Sequence, residues 1–125
     1  MNIPRNLKYS SEHEWVKVEG DNAYIGITDF AQRELGDIVF VEFPEVGDEF
    51  SVGDIFGTVE AVKTVADLFA PISGEIIEIN DALENSPDSI NNDAYNDGWI
   101  IKINIGNTVE LDSLLDPQSY KGLIS

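Results

Sequence analysis

The sequence predicts a mainly β fold with a few short helices, and three features carry that expectation. Valine, isoleucine and aromatic residues recur in short runs with strand spacing. These runs are bounded by Gly, Pro, Asn and Asp, the residues that turns require. Finally, Gly53-Asp54-Ile55-Phe56 is echoed by Gly74-Glu75-Ile76-Ile77, as two related hairpin halves folded face to face would be.

Residues 1–13 are polar and read as extended chain or loop. Trp15, Val16 and Val18 begin a strand, Gly20-Asp21-Asn22 is a hairpin turn, and Ala23 to Ile27 is the return. Thr28 or Asp29 can cap a short helix through Glu34 that Gly36 ends. Ile38 to Phe43 is a nearly continuous apolar strand. Pro44 to Asp48 is turn chemistry, after which Phe50 and Val52 add a brief alternating piece. Segment 60–70 is open at this level: Val62, Val65, Ala66 and Phe69 fit helical spacing, yet Pro71 to Gly74 favours strand, turn, strand. Asn80 or Asp81 can cap a short helix, and 85–98 reads as a polar loop. Trp99 to Ile105 is another strand. Asn107 with Glu110 has the form of a capping box, and Asp116-Pro117 starts a last helix.

At 125 residues the chain is expected to be a single domain, residues 1–125, with a modest core. Its formal charge of −17 disfavours nucleic acid and anionic membranes, which require a basic footprint. The same charge favours partners with basic surfaces. Apolar residues at 42% argue against disorder. The absence of cysteine removes disulfides and thiolate chemistry, and the single histidine, His13, excludes a histidine-based metal cluster. The N-terminus lacks an apolar signal core and no run nears 18 apolar residues, so the expected location is cytoplasmic.

Against this background one residue stands apart. Lys63 is the only basic residue between Arg33 and Lys102, an interval holding sixteen acidic residues from Glu34 to Asp97. Its immediate neighbours Ala61, Val62, Thr64 and Val65 carry no charge. A nucleophilic lysine needs burial or cationic neighbours to expose a neutral amine, and acidic neighbours do the reverse. Lys63 is thus a poor Schiff-base catalyst and better placed as a site that another enzyme modifies.

Other constellations fail on their spacing. Counting a calcium loop from Asp93 puts Tyr95 at a ligand position, and the order breaks. There is no G-x-x-x-x-G-K-[ST] and no G-x-G-x-x-G. A triad would have to use His13, whose neighbours Glu12, Glu14 and Trp15 look like the start of a strand, so a positional or capping role fits it better. An autonomous enzyme is disfavoured.

Three segments together resemble a known family: SEHEWVKVEGDNAYIGITDFAQRELGDIVFVEFPEVG (Ser11 to Gly47), VEAVKTVADLFAPISGEIIEIN (Val59 to Asn80) and INNDAYNDGWIIKI (Ile90 to Ile103). They are similar to the H protein of the glycine cleavage system, and the similarity runs from about Lys8 to Tyr120. It implies a flattened β-barrel sandwich of the lipoyl and biotinyl kind, with short peripheral and C-terminal helices. Segments 54–62 and 64–70 then become strands of a hairpin, within a bearing unit of about 54–79, and Lys63 at its tip carries lipoate in amide linkage. The family's lipoylation enzymes, a lipoate ligase or octanoyltransferase, look for the acid and the glycine that stand here as Glu60 and Gly74.

The resemblance implies a carrier, not a catalyst. A glycine decarboxylase (P protein) loads the aminomethyl group of glycine and an aminomethyltransferase (T protein) unloads it to tetrahydrofolate. A dihydrolipoamide dehydrogenase (L protein) then reoxidises the dithiol. The family pattern places Glu12, Glu14 and Asp67 as contacts of the loaded arm, with no metal, and the chain is expected as a monomer. The short helix with Gln32 and Glu34 is expected beside the arm. Two departures stand out: Ala61 and Thr64 where Ser and Ala are frequent, and Phe30 where His or Tyr is common. Two rival readings share the fold. A biotin carrier usually has methionine on both sides of its lysine, which Val62 and Thr64 do not match. A lipoyl relay protein, donating lipoate to other complexes, is not separated by sequence.

Overall fold

The computed structural model describes residues 1–125. Nine strands form two antiparallel sheets: β1 (Lys8–Tyr9), β2 (Glu14–Glu19), β3 (Asn22–Ile27), β4 (Ile38–Glu42), β5 (Glu49–Phe50), β6 (Ile55–Ala61), β7 (Val65–Phe69), β8 (Gly74–Ile79) and β9 (Ile101–Ile105). One sheet has the order β1-β2-β3-β9-β8-β5, the other β4-β6-β7. The two echoed segments fall in different sheets, β6 in the smaller and β8 in the larger. Between the sheets lies a core of 17 buried residues, drawing Val16, Ala23, Ile25, Ile27, Ile76 and Ile103 from one side and Ile38, Val41, Val59 and Leu68 from the other. Packing of two apolar inner faces is what holds such an architecture together. The mainly β expectation and its hairpins match this fold.

Three short helices cover the ends: α1 (Asp29–Leu35), α2 (Ser89–Asn92) and α3 (Pro117–Leu123). Thr28 caps α1 by accepting from the Ala31 amide, and Gly36, at φ 79°, terminates it. Such a cap contributes about 1 kcal/mol. Asp116 caps α3 through the Ser119 amide, with Pro117 in its first turn. A second, smaller cluster of Leu7, Tyr9, Trp15 and Tyr120 fastens α3 to the larger sheet.

Of the two alternatives for the N-terminal stretch, Lys8 and Tyr9 take the extended one, pairing with Val16 and Trp15 as an edge strand. Three other local expectations are corrected. Within the expected polar loop 85–98, α2 forms because Ile90 is fully buried, and burying an isoleucine contributes about 1.5–3 kcal/mol. Asn80 precedes a 3-10 turn but makes no cap bond; its amide donates instead to the carbonyls of Asp97 and Trp99. Asn107 does cap, accepting from the Val109 amide. Glu110 does not complete the box, because its carboxylate takes the Ser73 amide and hydroxyl, at 2.8 and 2.6 Å.

Candidate functional site

The ambiguous segment 60–70 is a β-hairpin. Register pairs Glu60 with Val65 and Val59 with Ala66, and the Ala61 amide closes the turn on the Thr64 carbonyl at 2.8 Å. Val62 and Lys63 form its tip, both exposed. Neither of the two ion pairs in the protein, Lys17–Glu19 and Arg33–Asp29, involves Lys63. The one lysine in the acidic interval is therefore solvent-accessible and electrostatically uncommitted.

Position is imposed on that tip from two sides. The Val62 amide donates to the Asp37 carbonyl at 3.0 Å, tying the turn to the segment after α1. The lysine stem lies over Gly36, where a β-carbon would sit 3.5 Å from its Cε. Asn91 of α2 anchors the same corner, donating to the Gly36 carbonyl and to Gln32 Oε1 and accepting from the Ile38 amide. No sequence signal pointed to Asn91, because its side chain serves backbone groups 55 and 53 residues away.

Along α1 from this corner runs a cleft of about 330 Å³. One wall is Glu12 and His13 from the β1–β2 loop with Glu14 at the start of β2, a second is Phe30, Ala31, Glu34 and Leu35 from α1, and a third is Ala66, Asp67 and Leu68 from β7. Glu12, Glu14 and Asp67, scattered through the sequence, thus share one hollow with Glu34. Glu12 and Asp67 are exposed. Glu14 is 2% exposed; its Oε1 accepts from Ser10 Oγ at 2.6 Å, and its Oε2 faces the Phe69 amide at 3.4 Å. Burial pushes the Glu14 carboxyl up to about 7, against the smaller opposing pull of those hydrogen bonds. The cleft therefore combines apolar walls with the carboxylates of Glu12, Glu34 and Asp67, and Glu14 lines it with its carboxyl hydrogen-bonded to Ser10 and Phe69; such a surface suits a chain that is greasy along its length and cationic at its end. Gln32 is buried and faces Asp29 and Asn91, leaving Glu34 alone of that pair in the cleft.

Glu60 and Gly74 occupy separate places. Glu60 is exposed on the outer face of the small sheet, between Phe40 on β4 and Val65 on β7. Gly74 lies on β8, opposite Ile105 and away from the tip. A β-carbon there would collide with the Asn104 carbonyl oxygen and sit 2.9 Å from Ile103 Cδ1. The glycine is thus demanded by packing. Gly74→Ala is expected to destabilise by about 1–3 kcal/mol, which urea melts check.

The lysine can bear an acyl group: its amine is free, its stem lies over Gly36, next in sequence to the cleft residue Leu35, and the cleft has both apolar wall and acid. Comparison with known proteins points the same way. The family model described as glycine cleavage H-protein matches residues 7–125. A glycine cleavage system H protein of Bacteroides fragilis is 52% identical over 125 residues, covering 100% of this chain and 99% of its own. One of Carboxydothermus hydrogenoformans is 56% identical over 122 residues, covering 98% and 94%. The crystal structure of a glycine cleavage system H protein from Mycobacterium marinum superposes with a TM-score of 0.85 at 40% identity, covering 96% of this chain and 97% of that one. A two-sheet fold with an exposed hairpin lysine beside an acidic cleft, matched over nearly every residue, places this chain in the glycine cleavage H-protein family.

Proposed function

We propose that this protein is the carrier component of a glycine cleavage system, with Lys63 as the attachment point of lipoate. The observation that carries the reading is the exposed, unpaired Lys63 at the β6–β7 tip, fixed at the corner from which the acidic cleft opens. Lipoate held by Lys63 would supply a disulfide able to carry the aminomethyl group of glycine from a P protein to a T protein. An L protein would reoxidise the resulting dithiol, and a lipoate ligase or octanoyltransferase would make the attachment. Acylation removes the lysine's charge, so nothing holds the arm in the acidic surroundings until it gains an amine. Tethering then replaces diffusional encounter by a high local concentration.

This chain's own residues do the holding. Glu14 and Asp67, with Glu12 and Glu34 at the margin, attract the ammonium group, and the apolar walls from α1 and β7 cover the arm. Shielding the loaded end from water limits its loss as formaldehyde. No helix of the chain is long and apolar enough to cross a membrane.

The deciding measurement is intact mass before and after reaction with a lipoate ligase. A single lipoyl addition that maps to Lys63 is expected; an unmodified chain, or addition elsewhere, defeats the reading. Glycine–bicarbonate exchange with a P protein then separates the carrier from a lipoyl relay, which would not support it.

The outer face of the small sheet is the surface that suits docking best. Val62 (75% exposed), Val65 (59%), Phe40 (53%) and Val39 (51%) crowd the small sheet around the tip, with Glu42 and Glu60 among them. Apolar side chains rimmed by carboxylates suit a partner with an apolar centre and a basic rim. The protein concentration giving half-maximal exchange is accordingly expected to rise several-fold between low salt and about 0.5 M, where charges more than a few ångströms apart are screened. A salt-independent value would remove electrostatics from docking.

A further inference from the structure

His13 lines the arm cleft, and nothing so far gives it a task. Its backbone is left-handed, at φ 70°, an unusual state for a residue with a side chain. That conformation closes the β1–β2 loop, in which the Ser10 amide donates to the Glu14 carbonyl and the His13 amide to the Ser10 carbonyl. It also turns the imidazole between two aromatic rings: Phe30 of the cleft at 4.8 Å and Tyr120 of α3 at 5.8 Å.

The ring is wired as well as packed. His13 Nδ1 lies 2.9 Å from the Tyr120 hydroxyl, which lies 2.7 Å from Thr28 Oγ1. Thr28 is fully buried, and its oxygen already accepts from the Ala31 amide. The only partner within reach of its hydroxyl hydrogen is Tyr120 Oη. Buried donors are satisfied in folded proteins, so Thr28 donates to Tyr120. Tyr120 in turn must donate to His13 Nδ1. An imidazole that accepts at Nδ1 is neutral and carries its hydrogen on Nε2. Nε2 has no partner in the protein, yet no buried side-chain nitrogen or oxygen is left unsatisfied, so this edge is open to solvent at the cleft.

We propose that Tyr120 is a positioning residue which, through the chain Thr28–Tyr120–His13, fixes the cleft's only imidazole as the neutral Nε2–H form, so that no positive charge competes for the amine. The inference rests on the reading of the cleft as the holder of an aminomethyl arm. Its logic is electrostatic. The groups facing His13 are Glu12 on its own loop, Glu14 at the start of β2, Glu34 on α1, Asp67 on β7 and Tyr120 on α3. In so acidic a setting an ordinary histidine would gain a proton easily, and an imidazolium there would repel an ammonium group. Burial holds the His13 value below 6.5 despite the raising influence of Glu12 and Glu34. The hydroxyl chain acts in the same sense: protonation at Nδ1 would force Tyr120 to reverse and strand the Thr28 hydroxyl. The C-terminal helix, distant in sequence, thereby sets the charge of the arm site.

Because His13 is the only histidine, its ring nitrogens can be followed by NMR without assignment ambiguity. The unlipoylated wild type is expected to show the Nε2–H tautomer and to titrate below 6.5. In Tyr120→Phe, which keeps the ring stacked on Tyr9 at 4.7 Å, both tautomers are expected and the titration moves up toward 6.5. Thr28→Val should do the same, while Thr28→Ser, which retains the hydroxyl, should behave as wild type. In the aminomethyl-loaded protein at mildly acid pH, Tyr120→Phe is expected to release formaldehyde several-fold faster. An Nδ1–H tautomer in the wild type, ring spectra unchanged by Tyr120→Phe, or unchanged release would each overturn the proposal. Failure of the arm reading itself is told apart above pH 7, where Glu14 is charged, by Glu14→Gln with Asp67→Asn: if that pair leaves release unaltered there, the cleft does not hold the amine, whatever the state of His13.

Discussion

Lys63→Arg is expected to abolish the protein's carrier activity completely while leaving its fold intact. Arginine keeps the positive charge and the long stem, and the position is exposed, free of ion pairs and closed by backbone bonds that the side chain does not share. Surface changes of this kind shift stability by about 0.5 kcal/mol or less. The guanidinium, however, is permanently protonated and offers no amine for acylation. Intact mass after ligase treatment should show no addition, and glycine–bicarbonate exchange should fall to background, with an unchanged urea midpoint. Residual exchange in this variant would place the attachment elsewhere. A collapsed midpoint would mean that Lys63 has a structural duty that its exposure does not reveal.

Much of this was readable in the sequence because strands, turns and caps write local signatures. The Gly20-Asp21 turn, the Thr28 cap, the Gly36 stop and the Asp116-Pro117 start all lie where their chemistry put them. The hairpin at Lys63 was not readable from local rules. Val62, Val65, Ala66 and Phe69 have helical spacing by accident, since the tip residue Val62 is exposed and only the others belong to β7. Its turn also lacks the Asn-Gly pair that advertises a tight reversal. The resemblance to the H-protein family supplied what periodicity could not.

The remaining misses share one cause: side chains diverted to distant partners. Glu110 has the spacing of a capping box but is claimed by Ser73, 37 residues away. Asn91 looks like loop polarity and instead fastens α1, α2 and β4 at one corner. His13 reads as the start of a strand, and the positional role expected of it is fixed only by Tyr120, 107 residues on. Nor does alternation along Glu12, Glu14 and Trp15 reveal that Glu14 is buried, because Glu14, Trp15 and Val16 are all covered by different neighbours.

Glu14→Gln is expected to make the protein more stable and less able to keep its load, with both effects growing as pH rises. Burial raises the carboxyl from 4.5 to about 7 in the folded state. Between those values the native protein holds a proton that the unfolded chain has lost, so unfolding becomes easier as pH increases through that window. The difference amounts to about 3 kcal/mol of stability forgone above pH 7. Glutamine has nearly the same shape, stays neutral, and can still meet Ser10 and the Phe69 amide. Urea melts of the two proteins should therefore nearly coincide near pH 4 and separate progressively toward pH 8, with the variant ahead. A constant gap across that range would show that the Glu14 proton is not what the folded state prefers. Formaldehyde release from the loaded protein should run the other way, faster in the variant above pH 7 and alike in the two proteins in acid, where wild-type Glu14 is itself neutral. A buried carboxylate that weakens the fold wherever it is charged is hard to explain by packing. Its place in the wall of this cleft makes sense if the charge is needed there to hold a cation.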